Sequence, residues 1–228
     1  MIITIDGPSG SGKSTLAIAL AHHLNFFCLN SGYLYRGLAY VLKTFYAYDE
    51  QKMRNPDIKD IQACLLSGNF EYKYESGLAK IYWIDDITIF LKDPELAHLV
   101  AILAQNPLVR AEIRKFERIL AQEKDMIAEG RSCGSVVFPE AEIKFYVDAS
   151  PDIRARRLQA DQKKCGIELP FDQAIHFVQQ RDKMDKERVI EPLIKPQGAI
   201  VLDSSTTSKQ DLLQKALEII KKELKKEQ

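Results

Sequence analysis

The sequence predicts an α/β fold in which helices alternate with the strands of a parallel sheet. Three observations carry this prediction: a glycine-rich loop between a strand and a helix, an alternation of short apolar runs with helical patterns, and one β-rich stretch that interrupts the alternation. A chain of 228 residues has room for one sizeable domain with a small insertion. We therefore expect one core.

The first strand and the loop after it are the most specific part of the sequence. Residues 7–14 read Gly-Pro-Ser-Gly-Ser-Gly-Lys-Ser, a full match to G-x-x-x-x-G-K-[ST], and they follow the apolar run Ile2–Ile5. The glycines let backbone N–H groups surround a phosphate chain, Lys13 adds a positive charge, and the Ser14 hydroxyl can bind Mg²⁺. A helical pattern from Leu16 follows, so the positive end of a helix faces the phosphates. A plain Gly/Ser turn is the alternative.

This motif refines the class to a three-layer fold of the P-loop NTPase type with a nucleoside triphosphate as donor. The motif itself predicts phosphate contacts from the backbone of residues 7–14 and from the Lys13 side chain, with Mg²⁺ on the Ser14 hydroxyl.

The remaining elements follow from apolar runs and turn residues. Further buried strands are predicted at Phe26–Leu29, Met126–Ala128, Ile143–Val147 and Ala199–Leu202. The stretch from Asn69 to Leu91 predicts a three-stranded antiparallel meander whose last strand is 87–91. Helices are expected to restart at Asp93-Pro94 and around Pro107. We divide the chain into a core (1–62, 94–150 and 189–228), a β-containing insertion (63–93) and a lid with its following helix (151–188).

Composition excludes several classes of function. Lysine plus arginine and aspartate plus glutamate number 32 each, so no net field favours nucleic acid or an anionic membrane. We found neither a signal-peptide pattern nor an apolar run long enough to cross a bilayer, and we expect a cytoplasmic protein with reduced cysteines. The four histidines lack a partner serine or carboxylate pattern, which argues against a catalytic histidine.

Two polar segments follow predicted strands, where an α/β sheet presents its ligand-binding edge. The first runs from Ser31 to Arg36; a serine N-cap followed by an exposed arginine is the commoner explanation of such a segment. The second, 129–134, places Arg131 between two glycines, which could aim its guanidinium into a cleft. A surface turn explains the second segment equally well.

A third group lies on a helix predicted over 172–188. Spacings of four, three, four and three residues put five side chains on one face, namely Ala174, Val178, Arg181, Asp185 and Arg188. The Asp185 carboxylate could orient both neighbouring guanidiniums at a polar cleft. The alternative is a solvated face with weak ion pairs.

In order and over nearly the whole chain, these segments resemble the bacterial cytidylate kinases, which phosphorylate CMP and dCMP from ATP. The similar segments are Ile5–Ser14, Ser31-Gly32 with Tyr35-Arg36, Gly130-Arg131 with Gly134 and 136–139, Arg181-Asp182 with Asp185, Arg188 and Pro192-Leu193, and 201–204. The β insertion before Pro94 also resembles the monophosphate-binding lobe of that family.

The resemblance implies a division of roles. ATP would lie in the loop with Mg²⁺ on Ser14, and the acceptor would be a small-molecule nucleotide bound to a monomeric enzyme without nucleic acid or membrane partners. The residues implied in ATP binding are Gly7, Pro8, Ser9, Gly10, Ser11, Gly12, Lys13, Ser14 and Thr15. The residues implied in phosphoryl transfer are Lys13, Arg36, Arg131, Arg157, Arg181 and Arg188. Those implied in monophosphate binding are Ser31, Tyr35, Arg36, Ala101, Arg110, Arg131, Ser132, Arg181, Asp185 and Arg188.

The sequence departs from the family pattern where the base would be read. Ser132 stands in place of an aspartate, Ala101 in place of a serine, and Asn30 in place of an aspartate. Cytosine has an exocyclic amine that needs an acceptor, which predicts a pyrimidine monophosphate kinase with relaxed or altered preference. A related kinase with another acceptor such as UMP, and a non-catalytic nucleotide-binding paralogue, remain alternatives. A GTP-binding switch protein is disfavoured because no N-K-x-D motif occurs.

Overall fold

The structure is a computed structural model that describes residues 1–122, 124–164 and 166–224. In chain order its strands are β1 (Ile2–Asp6), β2 (Phe27–Asn30), β3 (Phe70–Glu75), β4 (Leu78–Trp83), β5 (Asp85–Asp86), β6 (Met126–Gly130), β7 (Ile143–Asp148) and β8 (Ile200–Asp203). Its α-helices are α1 (Lys13–Leu24), α2 (Ser31–Phe45), α3 (Glu50–Arg54), α4 (Ile58–Leu66), α5 (Pro94–Leu103), α6 (Pro107–Leu120), α7 (Pro151–Lys164), α8 (Phe171–Glu187) and α9 (Lys209–Leu224).

The chain forms two compact units, of which the first comprises residues 1–26 and 127–228. Its strands lie side by side in the order β6-β1-β7-β8, and β7 pairs in parallel with both β1 and β8. The alternating residues Ile3 and Ile5 of β1 and Phe145 of β7 are fully buried. Because the strands run parallel, their carboxyl ends meet at one edge, where the phosphate loop begins.

The second unit comprises residues 27–126 and combines helices α2 to α6 with an antiparallel sheet in the order β3-β4-β5. The register of that sheet sets Phe70 opposite Trp83 and Tyr72 opposite Ile81. Helix α2 packs closely against it, since a Cβ on Gly37 would come within 2.8 Å of Ile81 and 3.0 Å of Phe70. This glycine allows the helix and the sheet to approach.

The predicted α/β class, the parallel sheet and the small antiparallel sheet are confirmed. The prediction of a third β-strand over 87–91 was wrong: β5 has only two residues, and Thr88–Lys92 forms a 3₁₀-helix. The Thr88 side chain explains the difference. Its hydroxyl accepts a hydrogen bond from the backbone N–H of Ile81 at 2.9 Å, and this replaces a partner that a longer strand would have provided.

The end of helix α8 also differs from the prediction. Helix α8 ends at Glu187, and Arg188 has an extended backbone, so Arg188 is not part of the helix. The division into core, insertion and lid stays a prediction. Cys28, Cys64 and Cys133 are buried, whereas Cys165 and the last four residues lie outside the described residues.

Candidate functional site

The phosphate loop connects β1 to α1 and depends on its glycines. Gly7 has φ +154°, and a Cβ on it would lie 2.0 Å from the carbonyl oxygen of Val147. Gly12, with φ +89°, is the N-cap of α1, so the first N–H groups of that helix receive no side-chain cap there. Backbone N–H groups left in this way at a helix start suit an anion.

Lys13 lies under the loop. Its ammonium group donates a 3.2 Å hydrogen bond to the carbonyl of Pro8, and its side chain is buried. Burial, and then the nearby Arg131, lower the pKa of Lys13 to about 8, although Glu129, Asp185 and Asp6 act in the opposite direction. A bound polyphosphate would supply the negative charge that this buried ammonium group needs.

Ser14, at the start of α1, contacts a buried carboxylate from β6. Its hydroxyl donates a 2.7 Å hydrogen bond to Oε1 of Glu129, which is only 3% exposed. Hydroxyl and carboxylate oxygens are the ligand types that Mg²⁺ prefers, so this pair fits a magnesium-bound triphosphate. The sequence included Glu129 only as part of a polar segment; its place in an otherwise apolar buried strand was the available signal.

Asp6, at the end of β1, was not predicted as a site residue. Its carboxylate accepts hydrogen bonds from the backbone N–H groups of Cys133 at 2.8 Å and Gly134 at 2.7 Å. Burial raises the pKa of Asp6 to about 6, and these hydrogen bonds and the charges of Lys13 and Arg131 limit the rise. Asp6 thus fixes the short π-helical turn Cys133–Val137 that follows the Arg131 segment.

Asp185 is the centre of an arginine cluster. Its carboxylate lies 2.8 Å from Nε of Arg131, 3.4 Å from Nε of Arg181 and 3.7 Å from Nη1 of Arg188. Burial acts to raise the pKa of Asp185, but the three guanidiniums outweigh it and hold the pKa at about 2. Because Asp185 is buried, the helix face is not solvated at this position, and Arg131 does not stand alone in a surface turn.

Two arginines of α7 and a serine after β8 fix the shape of the loop. Arg157 donates to the carbonyl of Gly10 at 3.0 Å and to the carbonyl of Ser204 at 2.6 Å. Ser204, which is buried, donates from its hydroxyl to the carbonyl of Ser11 at 2.6 Å. Arg154 is also buried and donates to the carbonyl of Ser9 at 3.3 Å. The predicted transfer residue Arg157 therefore contacts the loop directly.

Of the remaining predicted residues, Ser132 lies in the first unit and is buried, and the others lie in the second unit. The N-cap of α2 is Asn30, whose side chain accepts from the backbone N–H of Tyr33 at 3.1 Å, so the alternative of a Ser31 cap was wrong. Arg36 is half-buried and donates to the carbonyl of Leu91 at 2.7 Å.

Arg110 and Tyr35 also lie together in this unit. The Arg110 guanidinium is 5.5 Å from the centre of the Tyr35 ring, and its Nε donates to the carbonyl of Ala104 at 2.6 Å. Ala101 is half-buried on α5.

Comparison with known proteins decides the family. The family model described as "Cytidylate kinase" matches residues 3–222. The chain belongs to the cytidylate kinase family. It is 38% identical over 224 residues to the cytidylate kinase of Chlamydia trachomatis serovar L2, with 96% of this chain and 98% of that protein covered. It is 33% identical to the cytidylate kinase of Fervidobacterium nodosum, with 96% and 95% covered.

A solved structure of an uncharacterized protein from Eubacterium ventriosum shares the fold, with a TM-score of 0.51, 14% identity, and 97% and 98% of the two chains covered. Membership of a kinase family makes this protein an enzyme that binds nucleotides and uses ATP as its phosphoryl donor. Among the residues that the structure describes, no helix has the length and apolar character needed to span a membrane.

Proposed function

We propose that this protein transfers the γ-phosphoryl group of ATP to CMP or dCMP, giving ADP and CDP or dCDP. One observation carries the assignment of residues: a buried Asp185 gathers three arginines in the same unit as the phosphate loop. A buried carboxylate that fixes several guanidiniums prepares a site for anionic oxygens. Family membership supplies the acceptor class.

On the donor side, the loop and Lys13 bind the triphosphate, and Ser14 with Glu129 would hold the Mg²⁺ that accompanies it. When bound, the ion would neutralise part of the phosphate charge. Arg157 and Ser204 keep the loop backbone in place through its carbonyl groups, so the N–H groups remain available for phosphate oxygens. This positioning lowers the reorganisation that the loop would otherwise undergo as charge develops on those oxygens.

On the acceptor side, Arg131, Arg181 and Arg188 bind the monophosphate. A role for Arg36 in binding it stays a prediction. Phosphoryl transfer spreads negative charge over oxygens and needs positioning and positive charge more than covalent participation. A nucleotide monophosphate with a second pKa of about 6 is already mostly dianionic at neutral pH, so no general base is required. This agrees with a site built from arginine and lysine.

Within the second unit, Arg110 and Tyr35 are assigned to the acceptor base, and roles for Ser31 and Ala101 in binding it stay predictions. The Arg110 guanidinium is held by Tyr35 and the carbonyl of Ala104, so its orientation is fixed before a ligand binds. A monomeric state, a cytoplasmic location, lid movement of 151–188 and the absence of nucleic-acid partners stay predictions.

The test is production of ADP from ATP with CMP, dCMP, UMP and dUMP as separate acceptors, in the presence of Mg²⁺ and after its removal with EDTA. We expect turnover with CMP and dCMP that disappears with EDTA and falls at least about 10³-fold in Lys13→Ala. The matched control is Lys222→Ala, which removes an exposed charge on α9 and leaves turnover unchanged. If no acceptor gives ADP production that depends on Lys13, the result would favour the non-catalytic paralogue.

A further inference from the structure

Ser132 does not stand alone in the structure. Its side chain is 6% exposed, and its hydroxyl lies 3.3 Å from Oε2 of Glu191. Since an ionised carboxylate can only accept, the hydroxyl donates and the carboxylate accepts. The single proton of the Ser132 hydroxyl is therefore committed to Glu191.

This commitment gives the hydroxyl a direction. A serine hydroxyl can donate one hydrogen bond and accept two, and a free one rotates to suit either kind of partner. With its proton directed to Glu191, Ser132 offers only lone pairs to a ligand. It suits an N–H donor and opposes a carbonyl oxygen.

The backbone around Glu191 shows why the carboxylate reaches this place. Glu191 has φ +50°, in the left-handed region that non-glycine residues rarely occupy. Nε of Arg188 donates to the carbonyl of Glu191 at 2.6 Å, and the N–H of Leu193 donates to the carbonyl of Asp185 at 2.7 Å. Both bonds fold this segment back onto the arginine cluster and so maintain the unfavourable conformation.

We propose that Glu191 is a positioning residue that orients the Ser132 hydroxyl as an acceptor for the exocyclic amine of a cytosine base. The inference rests on the proposed function. It replaces the expectation of relaxed preference, because the carboxylate missing at position 132 is present one side chain away, on Glu191. Uracil has a carbonyl oxygen where cytosine has the amine, and this oxygen would face lone pairs instead of a donor.

The experiment compares kcat/KM for CMP and UMP in the wild type, in Glu191→Gly and in Ser132→Ala. Glycine removes the carboxylate and accepts the left-handed backbone. We expect the CMP to UMP ratio to exceed about tenfold in the wild type and to fall about tenfold in each variant, through the KM of the acceptors, while the KM of ATP stays the same. Glu187→Ala, which removes an exposed carboxylate at the end of α8, is the matched control and keeps the wild-type ratio.

Double variants show whether Glu191 acts by orienting the Ser132 hydroxyl or only by stabilising the protein. Adding Ser132→Asp to Glu191→Gly places an acceptor directly at position 132 and should restore the preference for CMP. In Ser132→Ala, adding Glu191→Gly should change the ratio no further, because Glu191 acts through Ser132. If Glu191→Gly does not fold, Ser132→Ala and its Ser132→Asp counterpart carry the test.

Three results would overturn the inference alone: a wild type that uses CMP and UMP equally, an unchanged ratio in Glu191→Gly or Ser132→Ala, or an equal loss with both acceptors. A wild type that phosphorylates no pyrimidine monophosphate would overturn the proposed function as well.

Discussion

Arg154 and Asp182 form a bidentate ion pair in which Nη1 and Nη2 of the guanidinium donate to the two carboxylate oxygens at 2.7 and 2.6 Å. The pair links α7 to α8, and Arg154 also donates to the carbonyl of Ser9 in the phosphate loop. The Arg154 side chain is 3% exposed and the Asp182 side chain is 13% exposed. Loss of one partner would leave a buried charge without compensation.

We predict that Asp182→Asn lowers the free energy of unfolding by about 3 kcal/mol and raises the KM of ATP, since Arg154 would no longer hold the loop. Urea unfolding and steady-state kinetics measure the two effects. The control is Asp161→Asn, whose ion pair with Lys164 is 71–75% exposed and contributes at most about 0.5 kcal/mol. Equal stability losses in the two variants would contradict this account.

The pKa of Lys13, lowered to about 8, predicts a pH dependence of ATP binding. Above pH 8 the free enzyme loses the Lys13 proton, whereas the bound triphosphate favours the charged ammonium group, so binding takes up a proton. We expect the Kd of ATP to change by less than about twofold from pH 7 to 8 and then to rise by up to about tenfold per pH unit. Calorimetry in buffers of different ionisation enthalpy measures the uptake. A Kd that stays constant to pH 9.5, or the same profile in Lys13→Ala, would refute it.

The lowered pKa of Asp185 predicts that its contribution to the free energy of unfolding depends on pH in the acid range. Its pKa is lowered from 3.8 to about 2, so its contribution is fully present above pH 3.8 and is lost as the pH falls through 2. Asp185→Asn should therefore lower the free energy of unfolding by about 2 kcal/mol at pH 7, and the difference from the wild type should shrink below pH 4. Chemical denaturation at several pH values measures it. A difference that is independent of pH would show that packing, and not charge, is lost.

Alanine substitutions at Gly7 and Gly77 form a matched test and control for the phosphate loop, in which only Gly7 lies. A Cβ on Gly7 would lie 2.0 Å from the carbonyl oxygen of Val147, whereas one on Gly77, with φ +77°, meets no atom within 4 Å. We expect Gly7→Ala to displace the loop, abolish turnover and lower the free energy of unfolding by at least about 2 kcal/mol. Gly77→Ala should keep turnover and cost about 1 kcal/mol from backbone strain alone. Turnover assays and thermal unfolding of both variants check this.

The elements that the sequence predicted well are those with a local signal. The run Ile143–Val147 alternates between buried apolar residues and less buried ones, and it forms β7 over Ile143–Asp148. The helix predicted over 172–188 is α8, whose two ends each differ from the prediction by one residue. The run 87–91 has the same β-rich composition but forms a 3₁₀-helix, because the side chain of Thr88 bonds to the backbone of Ile81. Such a tertiary bond leaves no periodic signal.

The sequence predicted those parts of the candidate site that belong to a motif. It did not predict single polar residues that hold the site in place. The loop and the arginines follow known spacings, but Asp6 and Ser204 each act on backbone groups far away in the sequence. The signal available for Asp6 was a carboxylate at the end of a buried strand. Ser204 offered no such signal, because serines after strands are common in turns.

The hydrogen bond from Ser204 to the carbonyl of Ser11 joins residues that are 193 positions apart. Arg157 bridges the same two segments through Gly10 and Ser204. During synthesis, contacts of such long range cannot form until the distant segment has left the ribosome. The phosphate loop therefore reaches its final shape only after the segment that carries Ser204, 193 positions further along the chain, has been made.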